Sequence, residues 1–253
     1  MCATFFKIHA IFTKIDMKVF SFFVLIAWVL SCKDNTTSQS DGPPVLPTRQ
    51  LNVGFLVVDG VYNSELIAPM DVFHHTVFHT EKGMRVFTVA PQKDTITTFE
   101  GLNLLPDYAL TDSLPFIDVL VVPSARHSTD SDLDNEVLIG FVRETGKRAS
   151  YIFSLCDGAF VLAKAGLLDT YQCTTFPADI VKFKQRFPHL QVHENVSFVH
   201  DRVAITSAGG AKSYDAALYL SELLYGKTVA SAIGKGLVID WEKSKVNYFS
   251  TSH

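Results

Sequence analysis

The chain has 253 residues, 47% of them hydrophobic and 19% charged, with a formal net charge of −4. That supplies a full core for one α/β domain of about two hundred residues. It argues against a nucleic-acid-binding surface, since no basic run and no zinc-type cysteine spacing occurs.

The first segment predicts export. From Met17 the sequence reads MKVFSFFVLIAWVLSCKDN, with a basic Lys18, an apolar stretch from Val19 to Leu30, and then Ser31-Cys32. This is the layout of a secretory signal, and the apolar run falls short of the roughly 20 residues that span a bilayer. Val29-Leu30-Ser31-Cys32 resembles a bacterial lipobox, whose cysteine takes lipid and becomes the mature N-terminus. Residues 1–32 are therefore expected to be a leader with its true start at Met17, and Cys32 the site of lipid attachment. The alternative is an uncleaved anchor helix. Either way the domain is expected outside the cytoplasm, on a bacterial membrane. Residues 33–50, polar and proline-rich, suit a flexible tether.

From Leu51 apolar strands and helical stretches alternate. LNVGFLVVDG reads as a strand and SELIAPMDVFHHTVFHT as a helix that Ser64 can cap. MRVFTVAP is a second strand, TITTFEGLNLLPDYAL a short β excursion, and FIDVLVVPS a buried strand. SDLDNEVLIGFVRETGKR is an amphipathic helix, acidic at its start and basic at its end. YIFSL then leads into CDGAFVLAKAGLLD. PADIVKFKQRF reads as a helix, LQVHENVSFVHD and VAITSAGG as strands, and AKSYDAALYLSELLYG and TVASAIGKGLVID as closing helices. Near-continuous apolar strands separated by helices predict a mostly parallel sheet covered on both faces, a flavodoxin-like three-layer sandwich. The domain is expected over 51–240, with 241–253 a C-terminal tail.

In such a sheet the site lies at the carboxyl ends of the strands. Three stretches fall there: Asp59 to Glu65, Pro123 to His127, and Cys156-Asp157. Cys156 sits between a strand and a helix that begins almost at once. Such an elbow lifts a side chain clear of the sheet and turns the first helical N–H groups toward the reacting centre. A helix N-terminus also favours the thiolate that attacks. A free cysteine is equally often a buried apolar filler, and the pattern alone leaves both readings open. A Cys156–Cys173 disulfide is disfavoured, because the two flank a helical segment and the first lies in a tight turn. His75 and His79, at i and i+4, are weak evidence for a metal pair without a third ligand, so no metal and no cofactor is expected. Asp215 reads as structural.

SLCDGAFVLAKAGLLD, followed by CTTF, RFPHLQV and ITSAGGAKSYDAALYLSELLYG, resembles the ThiJ/PfpI superfamily of the class I glutamine amidotransferase-like fold. The nearer branch holds isonitrile hydratases and the amidase-like halves of AraC-type regulators. The resemblance covers about Leu51 to Ala230 and favours Cys156 as the nucleophile. It implies that an acid four residues before a proline, here Glu65 before Pro69, reaches the cysteine, where a protonated carboxyl would donate to sulfur. An exposed first-turn glutamate is the alternative.

The sequence departs from that pattern twice. Pro-Gly-Gly after the third main strand is here Pro123-Ser124-Ala125, which puts the oxyanion-hole geometry in doubt. Where many members place a histidine, Asp157 and Phe176 stand, so no Cys-His dyad forms and a peptidase is disfavoured. Asp157, a threonine in the hydratase branch, is expected to position water, to act as base or to cap the helix. The resemblance thus implies a thiol-dependent hydratase or hydrolase acting on a small electrophile. Cys156 would attack, Glu65 hold the thiolate, Asp157 orient water, and the Ala125 and Asp157 amides stabilise developing charge. A non-catalytic redox- or ligand-sensing module and a glyoxalase-type enzyme are the alternatives. A homodimer is implied, with a small molecule as partner, no nucleic acid, and the membrane reached through the lipid.

Overall fold

The computed structural model describes residues 47–251. The expected leader, the Cys32 lipid site and most of the tether lie outside those residues. None of the described helices is long and apolar enough to cross a membrane.

The central sheet has eight strands. In chain order they are β1 (Asn52–Leu56), β2 (Arg85–Ala90), β5 (Tyr108–Ala109), β6 (Val119–Val122), β7 (Tyr151–Leu155), β10 (Phe198–Asp201), β11 (Ala204–Ser207) and β12 (Phe249–Ser250). Their order across the sheet is β12-β10-β11-β7-β6-β1-β2-β5. Every neighbouring pair is parallel except β10 and β11, which form an antiparallel hairpin. β3 (Ile96–Thr97) and β4 (Asn103–Leu104) make a small separate hairpin, and β8 (Gln172–Cys173) pairs with β9 (Gln191–Val192). The central strands β6 and β7 are apolar and buried nearly throughout, because helices cover both faces of the sheet.

One face carries α1 (Asn63–His75), α5 (Lys212–Tyr225) and α6 (Lys227–Gly236). There Leu66, Val72 and Phe73 pack with Ala217, Leu220 and Ile233 against Phe55, Val121 and Phe153. The other face carries α2 (Glu136–Gly146), α3 (Gly158–Lys164) and α4 (Ile180–Arg186), with Leu138, Val142, Phe160 and Phe183 packed on Leu120 and Ile152. At the start of α2, Asn135 Oδ1 accepts from the Leu138 N–H at 3.1 Å, which caps an otherwise unpaired donor.

Two expectations change. The segment from 241 is not a tail, since Trp241 is buried and its Nε1–H donates to Glu222 Oε2 at 2.7 Å. Further on, β12 adds an edge strand to β10. Its two residues sit in a polar neighbourhood, so no hydrophobic run marks it. The helix carrying His75 ends there, and Thr76–Phe78 continues as a 3-10 turn. His75 and His79 therefore do not share an α-helical face, and His75 Nδ1 is 2.7 Å from the Asp71 carbonyl. No cluster of three metal-ligating side chains occurs among the described residues.

Candidate active site

The elbow is built by the sheet. β7 ends at Leu155, α3 begins at Gly158, and Cys156 lies between them with φ 54. A left-handed backbone at a residue with a side chain is costly, on the order of 1–2 kcal/mol. Here it is held in place from both sides. The Cys156 N–H donates to Ser207 O at 2.9 Å, extending the β7–β11 ladder, and its carbonyl accepts from Thr175 Oγ1 at 3.1 Å. The next turn must pass close to β6, since a Cβ on Gly158 would stand 1.9 Å from the Val122 carbonyl oxygen.

The three sequence stretches at the strand ends meet here. Tyr62 N–H donates to Ser124 O (3.0 Å), Arg126 N–H to Gly60 O (2.9 Å), and Val61 bridges Ala125. Glu65, in the first turn of α1, is buried rather than exposed. Its Oε1 accepts from the Gly210 N–H at 2.8 Å and its Oε2 from Ser64 Oγ at 2.5 Å. Ser64 thus binds Glu65 instead of capping the helix. Pro69 lies inside α1, and its missing N–H removes the backbone bond that the Glu65 carbonyl would otherwise accept.

The Cys156 thiol is driven strongly upward in pKa. Burial is the main cause, followed by the Asp157 and Glu65 carboxylates, against which the Ser124 hydroxyl and the Asp157 N–H pull back. The lowering expected at a helix N-terminus is thus outweighed: α3 is only seven residues long, and the site is closed and acidic. The resting residue is a thiol. The Ser124 hydroxyl faces this sulfur and has no oxygen or nitrogen partner of its own.

Asp157 occupies the N-cap position of α3, yet its side chain makes no capping bond. It turns toward Thr175 and Asp179 instead. Thr175 Oγ1 is 3.1 Å from both the Cys156 carbonyl and Asp157 Oδ1. The Thr175 hydroxyl has one proton to give, so it is shared between the two acceptors and satisfies Asp157 only in part. Its pKa is pushed up to about 7, first by burial and then by the neighbouring Asp179 carboxyl, which outweigh Thr175 and Lys182. Burial and the Asp179 carboxyl thus hold the Asp157 titration near neutrality against the pull of Thr175 and Lys182.

The Ala125 amide, expected in the oxyanion hole, donates to Ser128 Oγ at 2.8 Å. The Ser128 hydroxyl folds back on this turn and occupies the donor, leaving the Asp157 N–H as the expected donor that faces the sulfur. Cys173 is fully buried, Cys156 is buried but for a small exposed part, and both are free, so the two form no disulfide. Asp215 pairs with Lys212 at 3.1 Å, a structural role. Cavities of about 620 Å³ beside Lys235, Trp241 and Lys245, about 530 Å³ beside Pro177, Ala208 and Trp241, and about 440 Å³ beside Phe116 and Phe141 lie around the domain. None of the three is lined by Glu65, Cys156 or Asp157.

Four contributors escaped the sequence reading: Tyr62, Ser124, Thr175 and Asp179. Thr175 lies in CTTF and Ser124 in the Pro-Ser-Ala turn, so both were within quoted motifs. Asp179 follows a proline at the start of a 3-10 turn, a position that marks a helix start and not a partner for Asp157.

A cysteine on a strained strand-to-helix elbow, with a buried glutamate from the first helix, defines a doubly wound α/β protein of the nucleophile-elbow type. The chain belongs to the DJ-1/PfpI family, whose pattern matches residues 52–223. It is similar to the isonitrile hydratase of Pseudomonas putida, at 29% identity over 185 residues, covering 72% of this chain and 76% of the hydratase. It is also similar to the HTH-type transcriptional regulator GbdR of Pseudomonas aeruginosa, at 24% identity over 205 residues and 81% of this chain. The chain spans 55% of that regulator's length. Among solved structures, a ThiJ/PfpI family protein from Pseudomonas syringae superposes with a TM-score of 0.65 at 22% identity, over 84% of each chain, which shows the fold.

Proposed function

We propose that the protein is a thiol-dependent hydratase or hydrolase of the isonitrile-hydratase kind, acting on a small electrophile at Cys156. The observation that carries this reading is the strained, buried Cys156, fixed through Ser207 and Thr175 beside a carboxyl that titrates near pH 7. Such strain is commonly kept where a group must be presented to a substrate.

For an isonitrile-type carbon the steps balance simply. The sulfur forms a bond to the terminal carbon while the thiol proton ends on that same carbon, giving a thioimidate. Water adds to the carbon, the C–S bond breaks, and the thiol regains a proton as the nitrogen takes one, leaving a formamide. Asp157 would relay these protons, a role supported by its being about half neutral acid and half base close to neutrality. Glu65, held on both oxygens, keeps the pocket in shape around the sulfur, and the Asp157 N–H faces the charge that develops.

A second reading, a ligand-binding module, draws on the similarity to transcriptional regulators and on a thiol that burial keeps protonated at rest. The two separate on a panel of isonitriles, nitriles and small aldehydes offered to the parent and to Cys156→Ala. Turnover by the parent, lost by about a hundredfold or more in the variant, is the expected result. Equal turnover by both proteins refutes thiol chemistry. Binding without turnover leaves the module.

A further inference from the structure

Arg126 stands at the rim of this site with its side chain positioned and its donors unspent. The main chain is zipped beneath it by Arg126 N–H to Gly60 O and Tyr62 N–H to Ser124 O. Its guanidinium lies over the Phe99 ring, 5.1 Å from the centroid, and Phe99 packs on Tyr62 at 4.6 Å. Phe99 is itself tied down, its N–H donating to Val61 O at 2.9 Å. Stacking fixes the plane of a guanidinium without using any of its five N–H donors. The chain has seven arginines, all among the described residues. The other six each give a side-chain hydrogen bond to a carboxylate, carbonyl or tyrosine. Arg126 gives none.

We infer that Arg126 recognises an anionic group on the substrate, so that the electrophile handled at Cys156 carries a carboxylate or a similar anion at its far end. This rests on the reading of Cys156 as the reacting centre. The floor of the site is acidic, with Glu65 and Asp157 around the sulfur, whereas the rim is cationic. Lys182, whose Nζ donates to Thr129 Oγ1 at 2.7 Å, is a second rim cation close enough to act on Asp157. An anion is repelled by the floor and drawn to the rim, which turns the uncharged, electrophilic end inward. Tyr62 links the two levels: its hydroxyl is raised in pKa by burial, Cys156, Asp157 and Glu65, and lowered by Arg126. The cation and the sulfur thus act on one phenol.

The test needs no knowledge of the natural substrate. Iodoacetate and iodoacetamide alkylate the same sulfur and differ in one carboxylate, and peptide mass spectrometry reads their rates at Cys156. In Arg126→Gln the iodoacetate rate is expected to fall about fivefold relative to iodoacetamide, matching the ~1 kcal/mol by which one unit charge acts on another across a partly solvated site. Arg126→Lys should retain most of the ratio. Lys147→Gln, at the opposite end of β7, should leave it unchanged. A ratio indifferent to Arg126, an equal loss with both reagents, or the same fall in Lys147→Gln overturns the inference. If Cys156 is inert to both reagents, the nucleophile reading falls on its own account. Fluorine NMR of fluoroacetate against fluoroacetamide then decides for Arg126: selective fluoroacetate binding lost in Arg126→Gln supports recognition, and its absence overturns it.

Discussion

Gly209 and Gly210 offer a matched pair for measuring how tightly the elbow is packed. Both have positive φ, 83° and 56°, so alanine is strained at either. They differ in surroundings. A Cβ on Gly210 meets nothing within 4 Å, while one on Gly209 would stand 2.4 Å from Cys156 Cβ and 2.9 Å from Cys156 Cα. Gly210→Ala should therefore cost only the left-handed strain, about 1 kcal/mol. Gly209→Ala adds overpacking worth about 1–3 kcal/mol, for a total near 3. At about 2–4 °C per kcal/mol for a domain of this size, the midpoints should fall by roughly 3 °C and 9 °C in thermal unfolding. The contact can be isolated by a cycle with Cys156→Gly, which removes the nearest clashing atom, Cys156 Cβ. In the double variant about 1 kcal/mol or more should return, beyond additivity. Equal losses at 209 and 210, or a cycle that adds to within about 0.5 kcal/mol, would refute the claim that Gly209 is there to let Cys156 in.

Two further outcomes follow from the titrating groups. Asp157 has a folded pKa of about 7 against an ordinary 3.8, so its ionisation works against the fold. Asp157→Asn should then be gained stability that is absent below about pH 4, grows between pH 4 and 7, and levels off above; unfolding midpoints whose difference from the parent is the same at pH 5 and pH 8 would count against it. Peroxide should oxidise Cys156 before Cys173, because Cys156 is 7% exposed while Cys173 is fully buried with its thiol donating to Gln191 O. Peptide masses showing equal oxidation, or a bond between the two, would contradict the structure.

The elements that were legible in the sequence are those whose burial is complete. β6 and β7 are continuous apolar runs because both their faces are covered, and the elbow showed itself as such a run broken at Cys156-Asp157. The sheet edge was illegible for the opposite reason, since Phe249–Ser250 joins β10 by backbone bonds and carries little hydrophobic signal. At the site the limits are similar. Residue spacing could bring Glu65, Ser124 and Cys156 to one end of the sheet, but not tell whether the Asp157 side chain caps α3 or turns away from it. That choice is made by Thr175 and Asp179, about twenty residues on, whose approach depends on how the β8 segment packs. The Ala125 amide fails as an expected donor for a local reason: the Ser128 hydroxyl three residues later reaches back to it.

The departures from the family pattern point in one chemical direction. A histidine at 157 or 176 would bring a base of pKa near 6.5 and, once protonated, a cation beside the sulfur. Here Asp157 reaches a similar pKa from the other side, as an acid made weaker by burial and by Asp179. The midpoint of titration is preserved and the charge is inverted. A neutral acid that becomes an anion gives no stabilisation to a resting thiolate, and accordingly the thiol stays protonated. Amide cleavage by an acyl-enzyme route needs a preformed nucleophile and then a strong acid for an expelled amine. Hydration across an unsaturated carbon needs neither, because the thiol brings its own proton and the same proton count is restored at the end. On the proposed chemistry, the loss of the histidine and the presence of the Asp157–Asp179 pair are one adaptation: a site suited to adding S–H and then water, and poorly suited to expelling an amine.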